Sequence, residues 1–193
     1  WWHFKDTLYQ ECFDQTQRYY QMIQQNHYDY VIIGQIWSNY LSNSVISQLG
    51  DARSLPLAQV RIESALERAL QQIIASNARP VLIKETPVKE HSNDCFFKHI
   101  KLHQQYDPEQ CSFPLVSNQW FDLLFKKMAA KYPQLIVVDP AEILCPDKRC
   151  KADINGVPVY RDAGHLTDYA SYQLGLNYLE RGKSLFSTQK ECL

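Results

Sequence analysis

The chain has 193 residues, 45% of them hydrophobic and 21% charged, with a formal net charge of -1. That is enough for one domain with a substantial core. No basic run gathers along it, which excludes nucleic acid as a partner on electrostatic grounds. No apolar stretch approaches the roughly 20 residues of a membrane helix.

The first residue is Trp1 rather than Met, and the expectation is a fragment or processed piece of something longer. The predicted organisation is a single domain over residues 1–193, with residues 188–193 as a flexible tail.

In chain order, "CFDQTQRYYQMIQQN" from Cys12 reads as a helix, with Phe13, Tyr20 and Ile23 as inward candidates. "YDYVIIG" follows as a short apolar strand of the kind buried on both faces of a parallel sheet. Gln35 to Pro56 is a polar loop. "LAQVRIESALERALQQIIASN" is the strongest helix: Ile62, Ala65, Leu66, Ala69, Leu70, Ile73 and Ile74 form one apolar stripe, with Glu63 and Glu67 opposite. "PVLIKETP" is the next strand, and a long loop then carries His91, Cys95, His99, His103 and Cys111. "SNQWFDLLFKKMAAKYP" is a helix with Ser117 as N-cap and Trp120, Leu124 and Met128 on one side. "LIVVDP" is a third apolar strand. "ADINGVPVY" reads as a hairpin, because Asn155-Gly156 suits a type I′ turn. The last helix starts near the N-cap Thr167 and stops at Gly182.

Helices alternating with apolar strands predict an α/β fold, a three-layer sandwich around a parallel sheet. Three strands are few for such a sheet, which suggests that its first strand or strands are missing.

Six cysteines are present: Cys12, Cys95, Cys111, Cys145, Cys150 and Cys192. Cys145 and Cys150 in "CPDKRC" have the look of half a zinc site, but two further ligands at close spacing are lacking, and a small disulfide loop fits better. Cys95 with Cys111 is a second candidate bridge. Such bridges imply an oxidising compartment; the alternative is a set of reduced structural thiols. His99 and His103 are four apart, as two helical metal ligands would be. Without apolar periodicity or a third ligand, His91, His99 and His103 read as solvated loop histidines. No metal or other cofactor is expected.

Sites on open parallel sheets lie beyond the carboxyl ends of the strands. Three loops qualify: "GQIWSNY", "ETPVKEHSNDC", and "DPAEILCPDKRC" running on toward "YRDAGHLTD". In the last, Asp162 and His165 are the sharpest pair. A histidine acting as general base needs a partner on its other ring nitrogen, to fix the tautomer and steady the imidazolium. A carboxylate three residues earlier can provide one across a tight turn.

The stretch "YRDAGHLTDYASYQLG" resembles the last block of the SGNH (GDSL-like) hydrolase and acyltransferase superfamily. It resembles more closely the SGNH domains fused to, or working beside, acyltransferase-three membrane proteins of bacterial envelopes. Those domains carry a D-x-x-H-L-[ST] segment before a helix, a strand ending in D-P-x-x-x-L-C with a second Cys nearby, and a G-x-x-x-Y-x-D lead-in. Here these read "VVDPAEILCPDKRC" and "NGVPVYRD". Upstream stand an apolar strand with a W-x-x-Y element, "YDYVIIGQIWSNY" with Trp37 and Tyr40, and a strand running into a proline loop with a Cys, "PVLIKETPVKEHSNDC". The resemblance runs from about Cys12 to Tyr178.

The resemblance implies a flavodoxin-like sandwich in which Asp162 orients His165 and His165 activates a serine. It implies an acyl donor and a glycan acceptor as partners, with a membrane acyltransferase domain beside them. The expected location is periplasmic or otherwise extracytoplasmic. Asn39 and Trp37 stand where the superfamily places oxyanion and substrate contacts; the other reading of Trp37 is a packing residue that covers the sheet end.

The family's nucleophile lies in a G-D-S block after the first strand, and no G-D-S occurs here. "LGDARS" has Ala52 after Gly50-Asp51 and falls after a later strand, and Ser38 lacks the flanking residues of a sharp turn. The expectation is that the serine lies before Trp1 and that the chain alone is inactive. A non-catalytic glycan-binding or interaction domain on a degenerate SGNH scaffold is the alternative.

Overall fold

Apolar runs that cannot face water on either side need neighbours, and in the computed structural model they find them in a small parallel sheet. The structure describes residues 3–4, 7–89, 92–162 and 164–183; the proposed tail 188–193 lies outside them, as do His91 and Cys192. The order begins with a two-residue ladder, β1 (His3–Phe4) and β2 (Thr7–Leu8), then α1 (Gln10–Gln25), β3 (Tyr30–Gly34), a 3-10 turn at Trp37–Tyr40, α2 (Leu55–Ala75) and β4 (Arg79–Ile83). Then come α3 (Ser92–Lys101), α4 (Pro108–Cys111), β5 (Phe113–Pro114), α5 (Gln119–Lys131), β6 (Ile136–Val138) and α6 (Ala141–Leu144). A 3-10 turn at Pro146–Lys148, β7 (Arg149–Cys150), β8 (Asp153–Ile154), β9 (Val157–Pro158) and α7 (Asp168–Glu180) complete it. No helix among the described residues is long and apolar enough to cross a membrane.

Within the chain two compact units can be described, Trp1–Glu85 with Asn118–Val138, and Thr86–Ser117 with Asp139–Leu193.

The first unit holds the sheet, ordered β3-β4-β6 and parallel throughout. Ile32 pairs with Val81 and Val81 with Ile136. Ile62, Leu66 and Leu70 of α2 share a core with Leu82 of β4 and Phe121, Leu124, Phe125 and Met128 of α5. The helical stripe of α2 is therefore buried as read, except that Ala65 is exposed and Ile74 half-buried.

The 3-10 turn adds Trp37 to this core, 4.9 Å from the Phe125 ring and 5.8 Å from Phe121. Ser54 caps α2 by accepting from the Leu57 amide. Asn118, not Ser117, caps α5, its Oδ1 accepting from the Trp120 and Phe121 amides at 3.1 and 3.4 Å. A further correction concerns β3. Among the described residues it pairs with β4 alone, and Ile32 is 53% exposed, so here this strand is an edge and not buried on both faces; the strand paired on both sides is β4. Phe13, Tyr20 and Ile23 of α1 are half-buried and, with Ile33 and Ile73, line a cleft of about 1080 Å³.

The second unit is built from short elements around Phe113, Leu144, Cys145, Cys150, Val159, Tyr160 and Ala170. Two disulfides, Cys95–Cys111 and Cys145–Cys150, add covalent links to this core. Cys12 is free and exposed. Asn155 and Gly156 both take positive φ, 53° and 77°, between β8 and β9, which is the left-handed pair a type I′ turn requires. The segment expected as loop around the histidines is a helix, α3, with Cys95 and His99 on it. Its Cys95–Cys111 bridge and the Phe96–Tyr106 contact at 4.8 Å hold it, so tertiary contacts override a weak pattern.

Candidate active site

The Asp162–His165 turn grows out of buried chain on both sides. Upstream, Val159 and Tyr160 are 0% and 1% exposed. The Tyr160 hydroxyl donates to the Pro87 carbonyl, and burial pushes its pKa up, so it stays a neutral donor. Downstream, the Thr167 amide donates to the Val159 carbonyl at 2.9 Å and the Thr167 hydroxyl to the Pro158 carbonyl at 2.8 Å. Thr167 also caps α7 by accepting from the Ala170 amide at 3.2 Å. Across the turn, Tyr160 and Leu166 form an antiparallel bridge, and the Arg161 amide donates to the His165 carbonyl at 2.8 Å. The ends of the turn are thus fixed against each other before any side chain at its tip is considered.

At the tip, Asp162 Oδ1 accepts from the backbone amides of Gly164 and His165, each at 2.9 Å. His165 Nδ1 lies 2.8 Å from the same oxygen and 2.9 Å from Oδ2. Since an ionised carboxylate only accepts, Nδ1 carries the proton and Nε2 presents its lone pair. The His165 side chain is 68% exposed, and Nε2 has no hydrogen-bond partner among the described residues. Arg161 Nε stands 3.7 Å from Asp162 Oδ2. The Gly164 amide foremost, then the His165 ring and the His165 amide, hold the Asp162 carboxyl down at a pKa of about 2. This is an arrangement for taking a proton at Nε2 while a fixed negative charge steadies the resulting imidazolium.

The other expected site residues belong to the first unit. Trp37 is 3% exposed, and its indole N–H is committed to the Ile83 carbonyl at 2.9 Å. That places its ring in the core, in agreement with the packing reading of this residue. Asn39 is exposed, and its side-chain amide makes no hydrogen bond among the described residues, so it keeps the chemistry of an oxyanion donor.

Ser38 donates its hydroxyl to Glu85 Oε1 at 2.7 Å, while its amide donates to Oε2 at 2.9 Å. Glu85 is the residue that sequence reading missed. It stands in "KETP" just past β4, and its position at a strand's carboxyl end was the available signal.

The bridges Cys95–Cys111 and Cys145–Cys150 are present as expected. Of the candidate metal histidines, His103 is exposed, His91 lies outside the described residues, and His99 is half-buried with its ring on the Cys95 carbonyl.

Residues 3–179 match the family described as SGNH domain (fused to AT3 domains). No curated protein matches the sequence. The fold is similar to that of the periplasmic domain of a lipopolysaccharide acetyltransferase from Salmonella ser. Paratyphi A, with a TM-score of 0.58 at 14% identity. The similarity covers 87% of this chain and 62% of that one, so the chain spans less than two thirds of its structural relative. At that identity the likeness shows the fold, a mixed α/β arrangement with a parallel sheet.

Proposed function

Because the chain belongs to the family of SGNH domains fused to AT3 domains, we propose that it supplies the acid–base machinery of an O-acyltransferase or esterase acting on cell-envelope glycan hydroxyls. The observation that carries this reading is the Asp162–His165 pair, with Nδ1 bound to a carboxylate and Nε2 directed outward.

In the proposed reaction His165 Nε2 takes the proton of a serine hydroxyl as the serine oxygen attacks the acyl donor's carbonyl. Asp162 stays ionised and steadies the imidazolium. The proton then returns to the leaving group. A glycan hydroxyl or water gives its own proton to Nε2 as it attacks the acyl-serine, and Nε2 passes that proton to the serine oxygen as it leaves, which restores both the serine and the neutral imidazole.

With no G-D-S in residues 1–193, the proposal takes the nucleophile from polypeptide outside them, and a membrane acyltransferase domain as the partner that delivers the acyl group. The two disulfides, and the periplasmic setting of the structural relative, support an extracytoplasmic location.

The test is glycan acylation by the whole polypeptide encoded by the reading frame that contains these residues, read as the mass increment on isolated envelope polysaccharide. His165→Ala is expected to remove the increment while the protein remains folded. Undiminished acylation by His165→Ala would sink the proposal. Residues 1–193 alone should turn over no generic acyl ester. Turnover there that is lost in His165→Ala would instead put the nucleophile within the chain, with Ser38 first to be tested.

A further inference from the structure

The second unit holds a group of side chains that the proposed chemistry does not use. The ligand-capable atoms of Cys95, His99 and Cys111 lie within 4.8 Å of one another. Cys95 and His99 occupy successive turns of α3, four residues apart, so both project from one face of the helix. Cys111, at the end of α4, is 4% exposed. The two sulfurs are joined as a disulfide, and in that state they hold no metal.

The His99 ring is already prepared for a ligand role. Its Nδ1 sits 2.8 Å from the Cys95 carbonyl oxygen. A carbonyl only accepts, so Nδ1 bears the proton and Nε2 keeps its lone pair. That is the outer contact that fixes the tautomer of metal-bound histidines. Tyr106 packs edge-on against the ring with centroids 5.9 Å apart, and its hydroxyl donates to Asp153 at 2.9 Å, so the ring has a wall that is itself held.

The geometry points to a redox-gated site for Zn(II), formed by Cys95, His99 and Cys111 once their disulfide is reduced. A dithiol reductant supplies two electrons and two protons, splitting the S–S bond into two thiols and closing to a disulfide itself. Zn(II) then displaces one proton from each thiol. Two thiolates and one imidazole suit this cation, and water completes a tetrahedral set. At Zn–S bonds of about 2.3 Å the sulfurs need to stand only about 3.8 Å apart, and the Cα atoms that carry them are 5.6 Å apart. The metal would replace one cross-link between α3 and α4 by another, so reduction in the presence of Zn(II) would not free this segment.

The experiment uses residues 1–193 carrying Cys12→Ser and Cys192→Ser, reduced with a dithiol, freed of it anaerobically, and titrated with Co(II) as the spectroscopic probe before displacement by Zn(II). One Co(II) per chain with a thiolate-to-metal charge-transfer band is expected, with no band in the oxidised protein. His99→Ala should weaken binding at least about 10-fold, and Cys95→Ser with Cys111→Ser should remove the band. The oxidised His99→Ala protein keeps its bridge, so its melting curve shows independently that it is folded. Wild-type affinity in folded His99→Ala would overturn the site. So would a band that survives loss of both cysteines, since it would then belong to Cys145 and Cys150.

Discussion

Two short turns of this molecule are each fastened by a carboxylate, and they use it differently. Asp162 spends its carboxylate inside its own turn, on residues two and three further on. Glu85 reaches 47 positions back to Ser38, tying the turn after β3 to the end of β4. The first arrangement leaves an imidazole nitrogen facing outward with its tautomer fixed. The second consumes a serine hydroxyl, while the neighbouring Trp37 N–H goes to Ile83 and its ring into the core. Hydrogen-bonding capacity used up in holding the chain is not available for chemistry. By that measure the Asp162 turn leaves an imidazole nitrogen open for the proposed chemistry, whereas Trp37 and Ser38 of the other turn are committed to holding the chain.

The sharpest way to break this comparison is Asp162→Asn in the catalytically competent polypeptide. The amide oxygen can still accept from the Gly164 and His165 amides, but the charge facing Nδ1 is gone. Glycan acylation should fall roughly 100- to 10,000-fold with a melting temperature close to wild type. A loss of activity only in step with unfolding would make the turn structural.

The pH dependence has a definite sign. The folded pKa of Asp162 is lowered from an ordinary value near 3.9 to about 2. Whatever stability its charge contributes is therefore fully present above the ordinary value and is lost as the pH falls through about 2. An acid limb of the rate profile lying above about pH 3 must come from another group.

Trp37→Ala tests the other turn. Emptying a site 3% exposed and lined by Phe121 and Phe125 should cost about 3–5 kcal/mol in denaturant unfolding. If the loss stayed below about 1 kcal/mol, the ring would not be a core residue and its substrate role would reopen. A smaller effect belongs to the Cys145–Cys150 bridge, which closes a loop with a sequence separation of 5. Cys145→Ser with Cys150→Ser should cost about 2 kcal/mol. Because those sulfurs pack with Val159 and Tyr160, glycan acylation should fall as well.

The site pair was legible because it is local: the partners are three residues apart, and Thr167 announces the helix that backs them. The stripe Ile62–Leu66–Leu70–Ile73 was legible because a long helix repeats its signal over many turns. What failed depends on residues far away in sequence. "YVIIG" is equally apolar whether a strand joins it on one side or two, and only its pairing with β4 alone among the described residues reveals an edge. Helix α3 is short and leans on a bridge and on Tyr106, neither of which its own periodicity encodes. The Glu85–Ser38 link spans one helix, α2, and one strand, β4. Ser117 and Asn118 are adjacent residues of equal capping aptitude, and only the geometry of the Trp120 and Phe121 amides separates them.

The finest division between the two regions comes from their helix caps. Asn118 caps α5 beside the core that holds Trp37, and Thr167 caps α7 two residues after His165. Replacing either by alanine removes an acceptor from helix-end amides and should cost about 1 kcal/mol in denaturant unfolding. Their effects on activity should differ. The Thr167 hydroxyl also donates to the Pro158 carbonyl, so its loss loosens the chain that returns from His165 to the buried strand end. Thr167→Ala should therefore lower acylation several-fold. Thr167→Ser, which keeps the oxygen, should restore both stability and rate. Asn118→Ala, at the same cost in stability, should leave the rate near wild type. Equal activity losses for the two alanine variants would mean that catalysis follows overall stability alone, and the division between a turn that acts and one that holds would fail.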